Sequence, residues 1–320
     1  KQIRLKKIKK IKFNKFKRGL IVGPSGIGQA HFRQYYKNGI REIGVLGKNF
    51  NKKRSFQINI SKFKDLKITN LKNFNDIKKF KPQIVSICSP FEQHLEHILK
   101  CNNHCQYIIV EKPFIWFKNN KKKINIYKVT SNLLNKLKKK ITVNLPMVSL
   151  ASQLLKKKEI SEKVRVFKFM YFTKGRQVYE NIAVDLLPHA LSFVLIINRN
   201  LLKNFEIKSV KVDKLNWSCK IIINNIICYF LFKQNKERKE SSLSFKLNKN
   251  SYKRNQKLLN GKYINTIVKN KRKIINIKNP MTEYLNLLLR NFKNSRNVEL
   301  NHKLVLDITR LTNSLLSWKK

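Results

Sequence analysis

With 320 residues the chain is long enough for two domains, and 71 Lys+Arg against 17 Asp+Glu give a formal net charge of +54, which at first sight suggests a polyanion partner. Lysine outnumbers arginine 57 to 14, although arginine is the better residue for bidentate recognition of phosphates and bases; Lys, Asn, Ile and Phe also share A/T-rich codons, so compositional bias explains the charge and no specific nucleic-acid partner is expected. Five cysteines do not make an even disulfide framework, the basic N-terminus lacks an apolar signal core, and no apolar run is read as reaching the roughly 18–20 residues of a membrane span, so a reducing, cytoplasmic setting with no membrane partner is expected.

After a basic N-terminal extension (1–17), the pattern over 18–146 alternates strand and helix. "GLIVG" (19–23) is a short apolar strand, followed by a glycine cluster and a helix through "QAHFRQYYKN". "EIGVLG" (42–47) and "IVSICSP" (84–90) are strands, and "FEQHLEHILKC" is a helix. "YIIVEKP" is the next strand, followed by a lysine-rich helix over about 121–139 and the strand "ITVNL". Strands that are continuously apolar and separated by helices predict a doubly wound parallel sheet covered on both faces.

Over 147–320 the style changes. "VRVFKFMYFTKG" (164–175) alternates with period two, and "ENIAVDLLPHALSFVLIIN" (180–198) reads as a long apolar helix that begins near Pro188 or kinks there. Four strands then follow, "IKSVKVDKL", "WSCKIIIN", "IICYFLFK" and "SLSFKLN", with Asn224-Asn225 as a hairpin turn between two of them. Helices opening at Pro280 and near His302 close the chain, so a second α+β domain with a mostly antiparallel open sheet is expected.

Glycines between a strand and a helix let backbone N–H groups and the helix N-terminus approach a pyrophosphate. Gly23, Ser25, Gly26, Ile27 and Gly28 are the candidate contacts, with Ser25 where the strict fingerprint has glycine. At the end of the second strand, an acid would bind the ribose hydroxyls of NAD. Gly47 stands there instead, with Lys48 beside it, so a 2′-phosphate and hence NADP is favoured over NAD.

Two further motifs carry chemistry. The strand "YIIV" runs into Glu111-Lys112-Pro113, and Asp185 and His189, four apart, share one face of a helix. The plain alternative for that pair is a capping aspartate and a packed histidine. The cluster His94, His97, Cys101, His104 and Cys105 is not read as a metal site, because 104 and 105 lie past an Asn-Asn helix end.

A glycine-rich first turn, "SPFEQH" with Ser89, Pro90 and His94, then "EKP", then "D-x-x-x-H", occur in that order, and the chain resembles the Gfo/Idh/MocA oxidoreductases. The resemblance implies a Rossmann-type domain, NADP or NAD as cofactor, and a sugar, sugar nucleotide, cyclitol or similar small molecule as substrate. It places Ser89, Pro90, His94 and Glu111 by the cofactor, and Lys112 at the reacting end, where with His189 it moves the proton while Asp185 orients substrate and histidine. It also implies a cis Lys112–Pro113 bond and a homo-oligomer, dimer or tetramer. Leu187, "ENIAV" and Ser25 depart from the family pattern, which keeps a catalytically silent ligand-binding member, and less so a polyanion-binding protein, as rival readings.

Overall fold

The computed structural model describes residues 16–47, 65–117, 125–160, 163–238, 240–259, 262–292 and 294–318. Cα packing divides them into two compact units, one holding residues up to Asn144 together with Tyr284–Val305, the other holding Leu145–Glu283 and the residues from Leu306 onward.

The first unit is a six-stranded parallel sheet of β1 (Arg18–Val22), β2 (Glu42–Leu46), β3 (Lys67–Leu71), β4 (Ile84–Ile87), β5 (Tyr107–Glu111) and β6 (Ile141–Asn144), in the order β3-β2-β1-β4-β5-β6. Every residue of β4, β5 and β6 is buried, which is why their sequences run apolar without alternation. Helices α1 (Ile27–Lys37), α2 (Asp76–Phe80), α3 (His94–Cys101) and α4 (Ile126–Leu137) connect the strands. Strand order reverses between β1 and β4, so the carboxyl ends of these two strands flank the crevice where such sheets bind ligands. β6 is an edge strand, and its backbone is satisfied from the far end of the chain. Asn301 accepts from Val143 N (2.9 Å) and donates to Val143 O (2.8 Å), while His302 Nε2 donates to Ile141 O (2.7 Å).

The second unit opens with α5 (Pro146–Lys156) and contains α6 (Glu180–Ile197) and an eight-stranded sheet. The strands are β7 (Val166–Thr173), β8 (Phe205–Val212), β9 (Asn216–Ile223), β10 (Ile226–Gln234), β11 (Ser242–Leu247), β12 (Asn250–Leu259), β13 (Lys262–Lys269) and β14 (Lys273–Ile277). Their order is β14-β13-β12-β11-β7-β10-β9-β8, antiparallel throughout except for the parallel pair β7–β10. Phe193 of α6 lies 5.5 Å from Phe167, 6.2 Å from Phe169 and 4.8 Å from Phe245, so aromatic rings fill the space between helix and sheet. Helix α7 (Pro280–Asn291) and helix α8 (Ser295–Ser317) each run from one unit into the other.

Several expectations need correction. α6 does not begin near Pro188; it starts at Glu180 and continues through the proline to Ile197. A proline inside a helix costs about 3 kcal/mol, and burial of nearly the whole apolar helix offsets it. The same helix contradicts the expectation that no segment reaches membrane-span length: it has 18 residues with mean hydropathy 1.5, but 83% of it is buried within the protein, as suits a core helix. α8 begins at Ser295, before His302. The Asn224-Asn225 turn joins β9 to β10 as expected, both residues having positive φ.

Candidate active-site residues

The turn between β1 and α1 is built for backbone approach. A Cβ on Gly28 would lie 2.2 Å from Gly23 O, and one on Gly23 only 2.7 Å from Ser89 N. Gly26, at φ +54°, opens α1 without a side-chain cap, and nothing lies within 4 Å of where its Cβ would stand. Ser25, Gly26 and Ile27 are exposed, while Gly28 N and Gln29 N donate within the turn to Ser25 O (3.0 Å) and Gly26 O (3.2 Å). An uncapped helix N-terminus lined by backbone alone fits a dinucleotide pyrophosphate.

Gly47 follows β2 and is exposed. Its missing acid has a steric cause: a Cβ there would lie 2.7 Å from Pro24 Cδ. Lys48, its expected companion, lies outside the described residues.

At the end of β5 the Lys112–Pro113 peptide is cis, as the resemblance implied, and Lys112 is half-buried. The preceding Glu111 is buried, with Oε1 accepting from His31 Nε2 (2.7 Å) and Asn144 Nδ2 (2.6 Å). His31 Nδ1 is 2.8 Å from Ser86 Oγ, which is 2.7 Å from Tyr35 OH. One direction of donation satisfies this chain: Tyr35 to Ser86, Ser86 to His31 Nδ1, and His31 Nε2–H to Glu111. Burial alone would raise the Glu111 pKa, but the hydrogen bonds from His31 and Asn144, with Lys112 nearby, together hold it below the ordinary carboxylate value. Burial pushes Tyr35 well above the usual phenol range, keeping it a donor. The result is a fixed carboxylate directly behind Lys112.

His94 joins two loops. Its Nδ1 is 2.9 Å from Pro113 O and its Nε2 is 2.9 Å from Ser89 O, so it ties the Ser89-Pro90 turn to the Lys112–Pro113 turn. Ser89 Oγ contacts His97 Nδ1 at 2.8 Å. Among the described residues no group of three His, Cys, Asp or Glu is placed to hold a metal ion.

In the second unit Asp185 and His189 are half-buried on one face of α6. Asp185 is no cap, since Tyr179 holds the N-cap position; its Oδ2 accepts from Gln234 Nε2 at 2.6 Å. The His189 ring meets Tyr171 edge-on at 5.4 Å. Leu187, the departure from the family pattern, is fully buried and so points away from that face. The sequence reading missed His31, Tyr35, Ser86, Asn144, Tyr171 and Gln234. His31 and Tyr35, four apart on α1 and both turned inward, were the available signal.

The profile of the oxidoreductase family with an NAD-binding Rossmann fold, Gfo/Idh/MocA, matches residues 17–145. Residues 17–145 thus form a Gfo/Idh/MocA-type, NAD-binding Rossmann domain. Its cofactor is therefore a nicotinamide dinucleotide. No curated protein matches the sequence. Solved structures with a similar fold include UDP-N-acetylglucosamine 3-dehydrogenase GnnA from Acidithiobacillus ferrooxidans (10% identity, 93% of this chain and 96% of that one, TM-score 0.65). Two others are the 3-ketoreductase KijD10 from Actinomadura kijaniata, solved with NADP and TDP-benzene (9%, 95% and 98%, 0.68), and the dehydrogenase WlbA from Thermus thermophilus, solved with NAD and UDP-GlcNAcA (12%, 95% and 95%, 0.61). At these identities the likeness concerns the fold, and it extends over both units of the chain.

Proposed function

We propose that this Gfo/Idh/MocA oxidoreductase prefers NADP(H) and interconverts a hydroxyl and a ketone on a sugar, with a sugar nucleotide as the favoured substrate class. The observation that carries the reading is Lys112: an amine at the carboxyl end of a parallel strand, backed by a buried, hydrogen-bonded carboxylate. A bound nicotinamide supplies or accepts the hydride. The remaining requirement is a proton at the substrate oxygen, which an ammonium gives and an amine takes. The Lys112 charge helps keep Glu111 ionised, so a carboxylate stands directly behind the amine that meets the substrate oxygen. Within the second unit, His189 and Asp185, the latter anchored by Gln234, are the groups that would meet the substrate hydroxyls.

Preference for NADP(H) is supported by Gly47 and Pro24, which leave no room for a ribose-binding acid. A sugar-nucleotide substrate is supported by the ligands and activities of three proteins of like fold. The buried position of Leu187 speaks against a silent pocket, because the change lies in the core. All five cysteines are free thiols, in keeping with a reducing compartment such as the cytoplasm. The test is turnover of NADPH and NADH against a panel of 3-keto and 3-hydroxy sugar nucleotides, sugars and cyclitols. Oxidation of NADPH by one of the sugar nucleotides is expected; tight NADPH binding with no turnover on any member would favour the silent reading.

A further inference from the structure

Arg254 of β12 stands in line with Tyr171 of β7. The register pairs Tyr171 with Leu243 of β11 and Leu243 with Arg254, so all three side chains occupy the sheet face that α6 covers. The next row on that face, Phe169, Phe245 and Tyr252, is buried and aromatic. The row of Tyr171, Leu243 and Arg254 is polar at both ends around a buried leucine, and Tyr171 is the ring that His189 meets. Arg254 Nη2 donates to Asn265 Oδ1 (2.8 Å) and Gln256 Oε1 (3.3 Å), both neutral amide oxygens. Its Nε is shut off from solvent without an acceptor, and among the described residues it makes no salt bridge. Burial pushes the guanidinium pKa down, with Tyr171 acting against it. A half-buried cation that, among the described residues, is held by neutral groups is costly, and its planar fork matches a carboxylate or phosphate.

We propose that Arg254 is an anion-binding residue of the substrate site, so that the substrate carries a phosphate or carboxylate group that the guanidinium holds beside Tyr171. The inference rests on the proposed function in taking the face of Asp185 and His189 as the substrate face. Arg254 differs from the many exposed lysines of this chain in being half-buried with its Nε enclosed, so its contribution is separable from the general positive field.

The test is calorimetric binding to NADPH-loaded protein of UDP-N-acetylglucosamine, glucuronic acid and neutral N-acetylglucosamine, at about 0.15 M salt to screen the surface charge. At least one anionic probe is expected to bind about tenfold or more tighter than the neutral sugar, the worth of a charge-assisted contact. Tighter UDP-sugar binding identifies a phosphate, and tighter glucuronate binding a carboxylate. Arg254→Gln should lose that advantage, Arg254→Lys should keep part of it, and Lys253→Gln, an exposed change on the opposite face of β12, should leave it intact. Arg254→Met, which keeps the stem and removes a half-buried charge, should melt no lower than wild type, separating lost binding from unfolding. The proposal is overturned if neither anionic probe outbinds the neutral sugar, or if Arg254→Gln binds both within twofold of wild type. Failure of the enzymatic reading looks different: no probe is oxidised or reduced while Arg254-dependent anion binding persists.

Discussion

His31 Nε2 and Glu111 Oε1 lie 2.7 Å apart with both side chains buried, joining α1 to the end of β5 immediately before Lys112. A carboxylate in that position is tolerable only while its donors remain. His31→Leu removes one and should destabilise the protein by about 3 kcal/mol, the cost of leaving a buried charged acceptor without its donor. His31→Gln, which offers an amide donor, should recover a substantial part. Urea unfolding of the three proteins checks this; a loss below about 1 kcal/mol in His31→Leu would mean that the pair is not what holds Glu111.

Acidification should weaken the fold in two stages. Burial lowers the pKa of His94, and of His97 and His302, so the unfolded chain binds their protons first. Their contribution is full above about pH 6.5, the unfolded value, and is lost as pH falls toward their depressed native values. Glu111, also depressed, contributes above the ordinary carboxylate range and loses that contribution as pH falls further through its native pKa. Urea midpoints followed from pH 7.5 downward should show both stages. His94→Gln should shrink the upper one and Glu111→Gln the lower one; unchanged profiles would contradict the assignment.

Much of this was legible in the sequence, for physical reasons. β4, β5 and β6 announce themselves because both faces are covered and every residue is apolar or internally satisfied. β3 and β12 were not seen because they are largely polar: "KITNL" and "NSYKRNQKLL" carry no apolar face to read. β13 and β14 were missed with them, although Asn260-Gly261 stands between β12 and β13 in the sequence; the β13–β14 turn on Asn270-Lys271 at positive φ has no glycine to mark it. The polar chain from Tyr35 to Glu111 was beyond reach for another reason. Its members are distant in sequence, and only parallel pairing of β4 with β5 brings Ser86 and Glu111 to the same histidine.

Cofactor choice offers a separate test. NADPH should bind more tightly than NADH by fluorescence titration at moderate salt, and Lys48→Ala should weaken NADPH selectively, by about tenfold for a charge-assisted contact. Gly47→Asp alone should not create an NADH enzyme, because its Cβ would meet Pro24 Cδ at 2.7 Å. Pro24→Gly combined with Gly47→Asp relieves the conflict and should shift preference toward NADH. Equal affinities in wild type, or a full switch by Gly47→Asp alone, would refute this account of the ribose end.

The most direct measurement of the central claim is isotope transfer. NADPH deuterated at the transferable position is mixed with the enzyme and a 3-keto sugar nucleotide, and the product is read by mass spectrometry. The account predicts one deuterium on the carbon that becomes the hydroxyl-bearing one, with NADPH binding nearly unchanged and transfer slowed about 10²–10⁴-fold in Lys112→Met, the range for loss of a general acid. Deuterium transfer at an undiminished rate in Lys112→Met would contradict it.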